Sequence, residues 1–262
     1  AKVMIDDLAA YGAPVMLFSG GEPTIRKDMP ELASYATSKG MRAVISTNGT
    51  LIDRAMARQL KEVGLSYVGV SLDGGEDVHD HFRGVKGSFR RALEGLDYCR
   101  EEGIKVGLRF TINKRNAVEI PKIFDILRER DIPRVCFYHL VYSGRGTELI
   151  NEDLNHQETR AVVDLIMDKT RECFDAGTPK EVLTVDNHAD GPYVWMRLLK
   201  EDPKRAEEVF QLLQFNEGNS SGRGIGCISW NGDVSADQFW RHHVFGNVLE
   251  RPFSEIWDDP NI

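Results

Sequence analysis

Five short apolar runs recur through the first half of the chain, at residues 15–18, 43–46, 67–72, 106–112 and 135–141. Their starts lie 28, 24, 39 and 29 residues apart. A hairpin closes within a few residues, so gaps of this size demand a crossover between strands. The segments between them read as amphipathic helices with their own start and stop signals. Asp53 can cap a helix that stops near Gly64, and Ser88 one that stops near Gly103. Asn116 can cap a third, with Pro121 in its first turns. Five strands joined by crossover helices predict an α/β fold with a parallel sheet, curved or barrel-like.

The polar residues gather where these runs end. After the first come Ser19-Gly20-Gly21-Glu22-Pro23. The two glycines let the backbone turn sharply and approach a ligand, Glu22 adds a fixed charge, and Pro23 stiffens the exit. The second run ends in Ser46-Thr47-Asn48-Gly49 and the third in Ser71-Leu72-Asp73-Gly74. The fourth carries Arg109 and runs into Asn113, and the fifth ends His139-Leu140-Val141-Tyr142-Ser143-Gly144-Arg145-Gly146. Asn-Gly and Asp-Gly are ordinary turn dipeptides taken singly. Five such ends in a row describe the strand C-terminal edge at which parallel α/β folds bind ligands.

Composition narrows the class. The net charge of −8 leaves no basic excess to neutralise phosphates, which argues against a nucleic-acid binder. No apolar run is long enough to span a membrane, and the first residues carry no signal-peptide pattern. Cys99, Cys136, Cys173 and Cys227 include no CxxC pair, so a reducing cytoplasm is the default compartment. The first three read as core filler, and Cys227 stands apart because it opens a hairpin after a glycine-rich segment.

The second half is organised differently. Residues 157–176 read as one helix, 184–192 as too polar for a strand core, and 193–214 as further helices. Residues 217–225 have linker composition. Beyond them, Asn231-Gly232-Asp233 is a hairpin turn between 227–230 and 234–237.

Taken in this order, Gly20-Gly21-Glu22-Pro23, the Ser46-Thr47-Asn48-Gly49 and Ser71-Leu72-Asp73-Gly74 ends and the β-α periodicity resemble the radical S-adenosylmethionine superfamily. The resemblance implies a partial (βα)6 TIM-like barrel over 1–150, with the first strand and the cluster loop missing. It implies a helical connecting region over 151–216 and the start of an auxiliary-cluster (SPASM or twitch) extension, built on a β-hairpin, over 217–262. In that family a 4Fe-4S cluster binds S-adenosylmethionine and cleaves it reductively to a 5′-deoxyadenosyl radical. The family's CxxxCxxC loop does not occur in this sequence, which is therefore read as a piece of a longer protein, with the cluster ligands outside it.

The resemblance also assigns residues. Gly20, Gly21, Glu22 and Pro23 match the segment that meets the methionyl amino group, and Ser46, Thr47 and Asn48 the next ligand-facing end. Ser71 and Asp73 match ribose and carboxylate contacts, Arg109 a basic position near the methionyl carboxylate, and Leu140 and Val141 the adenine-facing backbone. Cys227 matches an auxiliary-cluster ligand, and Asp237 stands where many relatives carry a second cysteine, either as an oxygen ligand of that cluster or merely as a hairpin residue.

The wording Asp237-Gln238-Phe239-Trp240, with the His139 to Gly146 segment, resembles the tetrapyrrole-modifying branch. That implies removal of acetate side chains from 12,18-didecarboxysiroheme to give iron-coproporphyrin III. The alternatives are a heme d1 pathway reaction on the same tetrapyrrole and peptide maturation. The implied partners are an iron-bound tetrapyrrole and an electron donor such as ferredoxin or flavodoxin, with no nucleic acid and no membrane. A polyanionic substrate calls for Arg and His donors, and His139, Arg145, His188, Arg241, His242 and His243 are candidates by type and place. No catalytic acid or base is assigned.

Overall fold

The structure, a computed structural model, describes residues 1–261, with Arg145 described by its backbone alone. Helix α1 (Lys2–Tyr11), strand β1 (Val15–Phe18), helix α2 (Met29–Ser38) and strand β2 (Arg42–Thr47) open the chain. Helix α3 (Arg54–Glu62) leads to β3 (Tyr67–Ser71), and helices α4 (Glu76–Arg83) and α5 (Ser88–Glu101) lead to β4 (Lys105–Thr111). Helix α6 (Ile120–Glu129) precedes β5 (Arg134–Tyr138), and α7 (His156–Asp175) precedes β6 (Glu181–Val185). Helices α8 (Asp190–Glu201) and α9 (Pro203–Asn216) follow. Strands β7 (Cys227–Ile228), β8 (Asp233–Ser235) and β9 (Gly246–Asn247) and helix α10 (Phe253–Trp257) complete the chain.

Strands β1 to β6 form one sheet in chain order, the arrangement of a partial barrel, and β1 to β4 pair in parallel. The apolar runs predict five strands for this sheet, and among the described residues it has six. The additional strand, β6, lies inside the region read as helical and overlaps residues read as too polar for a strand. It is only half-buried along its length, so no continuous apolar run marks it. Two helix caps also differ from expectation. Gly87, with φ of 78°, caps α5, while the Ser88 hydroxyl donates to Asp80, whose carboxylate also takes the Phe89 N–H at 2.8 Å. Asn116 donates its side chain to the Thr111 carbonyl and precedes a 3-10 turn, so α6 starts at Ile120, with Pro121 in its first turn. Asp53 does cap α3, accepting the Met56 N–H at 2.8 Å.

The chain divides into two compact units. The first comprises Ala1–Thr111, Asn116–Phe137 and Thr170–Leu183, and the second Ile112–Arg115, Tyr138–Lys169 and Thr184 onward. In the first, β2 to β5 bury Ala43 and Ile45, Val68 and Val70, Val106 and Leu108, and Val135 and Phe137. Phe110, Phe124 and Phe137 are fully buried; Phe137 meets Phe110 edge-on at 5.7 Å and stacks on Phe124 at 5.8 Å. Each such ring contributes about 1.5–3 kcal/mol by leaving water. Cys99 and Cys173 are fully buried, as their core-filler reading required. In the second unit, Val162, Val163 and Ile166 of α7, Leu198 of α8 and Ala206 of α9 are buried. The expected hairpin forms, pairing Cys227 with Ser235 and Ile228 with Val234, and β9 adds a third strand. Among the described residues no helix is long and apolar enough to cross a membrane.

Candidate functional site

The register of the parallel strands decides which side chains share a face in the first unit. Ser46 pairs with Gly69 and Gly69 with Gly107, while Ser71 pairs with Arg109. Paired residues of parallel strands project the same way. One face of the strand ends therefore carries Ser46, Ser71 and Arg109 around two glycines. The glycines are required by packing. A Cβ on Gly69 would sit 2.9 Å from the Arg109 side chain, and one on Gly107 would sit 2.3 Å from the Tyr67 hydroxyl oxygen. Arg109 thus lays its methylenes across β3 in the space that Gly69 leaves.

At the end of β1 the turn is held by Glu22. Its Oε1 accepts the Thr24 N–H at 3.1 Å, the Thr24 hydroxyl at 2.6 Å and the Thr47 hydroxyl at 2.7 Å. Its Oε2 accepts the Asn48 N–H at 2.7 Å. The carboxylate therefore ties the β1 end to the β2 end. Thr47 also takes the Gly49 N–H at 2.9 Å, and Asn48 folds its own loop by accepting from Thr50. Gly20 has φ of 127°, which favours glycine, and a Cβ on either Gly20 or Gly21 would meet open space. The two glycines are exposed and Pro23 is buried as the first residue of a 3-10 turn. Thr24 was not singled out in the sequence, although a threonine two residues after a capping acid is a readable signal.

Asp73 is placed differently from Ser71. It is 3 % exposed, and Arg83 grips both its oxygens, at 2.5 and 3.1 Å. Its backbone N–H donates to the His79 ring. Burial raises its pKa, but His79 and Arg83 outweigh that and hold the carboxyl below the usual range.

The remaining candidates lie in the second unit. Leu140 and Val141 are half-buried, and the Val141 carbonyl accepts the Ser143 N–H at 2.9 Å. His139 follows β5 directly, and its Nε2 lies 2.7 Å from Asp190. Asp190, which the sequence reading missed, is 4 % exposed and also takes the Asn187 amide at 2.9 Å. Its signal was the polar stretch Asp186-Asn187-His188-Ala189-Asp190. His188 itself is exposed. Arg145 lies outside the described side chains.

In the small sheet, burial pushes the Cys227 thiol up. Asp237 spends Oδ1 on the Phe239 and Trp240 N–H groups, at 2.7 and 2.8 Å. Burial opposes its charge, and these bonds with Ser221 hold it below the usual range. Arg241, His242 and His243 are exposed; Arg241 lies over Trp230, His242 stacks on Trp240 and His243 meets Phe245 edge-on.

Residues 2–127, which contain every strand end of the first unit described above, match the model of the Radical SAM superfamily. The chain is 69 % identical over 258 residues to an Fe-coproporphyrin III synthase of Methanosarcina barkeri, covering 98 % of this chain and 65 % of that protein. It is 36 % identical to a pre-heme d1 synthase of Dinoroseobacter shibae, covering all of this chain and 65 % of that protein. An AdoMet-dependent heme synthase of Nitratidesulfovibrio vulgaris is 30 % identical, with 98 % of this chain and 69 % of that protein covered.

The chain belongs to the radical S-adenosylmethionine superfamily.

It spans about 65 % of the length of the first two of these relatives. The fold agrees: SuiB of Streptococcus suis, solved with its precursor peptide SuiA, aligns with a TM-score of 0.78 at 18 % identity, over 99 % of this chain and 57 % of that one. Family membership implies S-adenosylmethionine and a 4Fe-4S cluster. The open glycine turn and the Ser46, Ser71 and Arg109 face fit the first, because they offer unfilled space, hydroxyls and a cation at one strand edge. The described residues do not fit the second, since no three His, Cys, Asp or Glu side chains among them converge on a metal site.

Proposed function

We propose that the protein of which this chain is part is a radical S-adenosylmethionine enzyme of heme biosynthesis that removes acetate side chains from 12,18-didecarboxysiroheme, giving iron-coproporphyrin III. The observation that carries this reading is the 69 % identity, sustained over 258 residues, to an Fe-coproporphyrin III synthase. When bound, S-adenosylmethionine supplies the hydrogen-abstracting chemistry of the family. This chain's own residues bind and orient. Gly20 and Gly21 clear the room for the methionyl amino group, and Glu22 fixes that turn to Thr47 and Asn48. Ser46, Ser71 and Arg109 meet the ribose and methionyl carboxylate. His188, Arg241, His242 and His243 are the cationic or polar donors for the substrate's carboxylates. Cys227 is the auxiliary-cluster ligand this chain offers, thiolate being what cluster iron prefers, and Asp237 keeps its hairpin role. A low-potential donor such as ferredoxin or flavodoxin supplies the electron, in a reducing cytoplasm that suits four cysteines with no CxxC pair.

The full-length protein, with its clusters reconstituted under anaerobic conditions, tests the reading. Mixing with didecarboxysiroheme should shift the tetrapyrrole absorbance, and turnover should yield a product lighter by two acetate groups, seen by mass spectrometry. No absorbance change on mixing sinks the tetrapyrrole assignment. The likeness to a pre-heme d1 synthase supports a second reading, in which the same substrate is bound but a different product mass appears.

A further inference from the structure

The His139–Asp190 pair is more completely built than a surface ion pair, and its hydrogen bonds fix its chemistry. Asn187 Oδ1 accepts the Ala189 N–H at 3.1 Å, which orients the Asn187 amide so that its Nδ2 donates to Asp190 Oδ1 at 2.9 Å. Asp190 Oδ2 is left for His139 Nε2, 2.7 Å away. An ionised carboxylate only accepts, so His139 donates from Nε2. In the neutral ring the lone pair then lies on Nδ1, for which no hydrogen-bond partner exists among the described residues. The His139 backbone is also pinned, donating to the Val185 carbonyl at 3.0 Å. The imidazole is 11 % exposed and Asp190 is 6 % exposed at the side chain, so both groups are largely held out of bulk water, while Nδ1 is not among the fully buried side-chain atoms left without a partner.

The other histidines lack this arrangement. His81, His156, His188, His242 and His243 are exposed. His79 is buried, but its Nδ1 accepts the Asp73 N–H and its side chain is 2 % exposed. His139 alone, among the described histidines, combines a nitrogen fixed by a buried carboxylate with a second nitrogen that is open. That is the arrangement of a metal-ligating histidine, whose other ring N–H is almost always given to a carboxylate or carbonyl that orients the ring and raises its basicity. An acceptor nitrogen repels a substrate carboxylate and attracts a metal ion. The position fits a ligand site as well, since His139 is the first residue past the C-terminal end of β5.

Resting on the tetrapyrrole reading above, we propose that His139 binds the iron of the substrate through Nδ1 as an axial ligand, with Asp190 and Asn187 as its positioning residues. Coordination would hold the macrocycle by its centre and leave the peripheral side chains accessible, which a clamp on the carboxylates alone would not do.

The test uses the full-length protein under anaerobic conditions and two probes, iron-coproporphyrin III and metal-free coproporphyrin III. The wild type should bind the iron form with the absorption and electron paramagnetic resonance signature of nitrogen-ligated iron. His139→Ala should lose that signature and bind the iron form about tenfold or more weakly, with the affinity for the metal-free form unchanged. The retained affinity of that variant for the metal-free form is what a misfolded protein could not show. Asp190→Asn should keep the nitrogen ligand but lower the iron–nitrogen stretching frequency in resonance Raman spectra and weaken iron binding by about 10- to 100-fold. An unchanged iron spectrum in His139→Ala overturns the assignment, and so does an equal loss of affinity for both probes. Binding of neither probe by the wild type overturns the tetrapyrrole reading and the assignment with it.

Discussion

Replacing Glu22 by glutamine changes one atom of the brace between the β1 and β2 ends, so its cost can be argued atom by atom. The carboxylate accepts four hydrogen bonds, three on Oε1 from Thr24 and Thr47 and one on Oε2 from the Asn48 N–H. An amide has one acceptor oxygen and one donor nitrogen. If the oxygen keeps the threonines, the NH2 group faces the Asn48 N–H, and donor meets donor. An unmet buried donor costs about 1–3 kcal/mol, and the three remaining bonds lose their charge assistance. All four contacts are part-buried, so water recovers some of this, and a net cost of about 2 kcal/mol follows. The damage is local to the turn that receives the methionyl group. The full-length Glu22→Gln protein should therefore show a lower urea midpoint. Its S-adenosylmethionine affinity by equilibrium dialysis should fall about tenfold, the equivalent of about 1.4 kcal/mol. Thr47→Val removes a single donor to Glu22 and should cost less in both measurements. A Glu22→Gln protein with wild-type midpoint and affinity would refute the brace. A lowered midpoint with unchanged affinity would keep the brace and remove the ligand from this turn.

Three further perturbations probe the frame around the site. In Gly95→Ala the new Cβ would sit 2.3 Å from the Gly49 carbonyl oxygen, so α5 must back away from the β2 loop; thermal unfolding should register a loss of about 1–3 kcal/mol. Tyr67→Phe should be neutral or raise stability by about 1 kcal/mol in urea titrations, because the Tyr67 hydroxyl is buried without a hydrogen-bond partner. Burial likewise pushes the phenol pKa up to about 12, and a phenylalanine that destabilised the protein by more than 1 kcal/mol would show that the hydroxyl has a partner. Asp73→Asn tests the acid limb of stability. The Asp73 carboxyl is held below its unfolded value of 3.8, so its stabilisation is complete above that pH and is lost as pH falls through the folded value. The stability gap between wild type and variant should hold from pH 7 to about 5 and close below about 4, and a gap that widened toward acid would contradict the assignment.

Much of the first unit was legible because its signals are redundant. Strand spacing, β-branched runs and the Asp53 cap all point to crossover connections, and β1 falls on 15–18 as expected. The glycine turn was legible for a different reason: backbone that takes φ of 127° at Gly20 leaves a residue-type signature wherever it occurs. The signal fails where a group's partner is set by tertiary structure. Ser88 has the composition of a cap, yet Asp80 supplies that function to the start of α5 from eight residues away. Asp73 and Ser71 share one strand end and look interchangeable as ligand contacts, but only the fold brings Arg83 onto Asp73. β6 escaped because an edge strand whose residues are exposed or only half-buried carries no continuous apolar run. The same limit explains why His139 read as one of six cationic candidates. Its distinction lies in Asp190, 51 residues on, and no local pattern encodes a partner at that distance. The residues most open to misreading from sequence are therefore those whose chemistry depends on a long-range hydrogen bond, and His139 is the one where that bond changes the ligand it would take from a carboxylate to a metal.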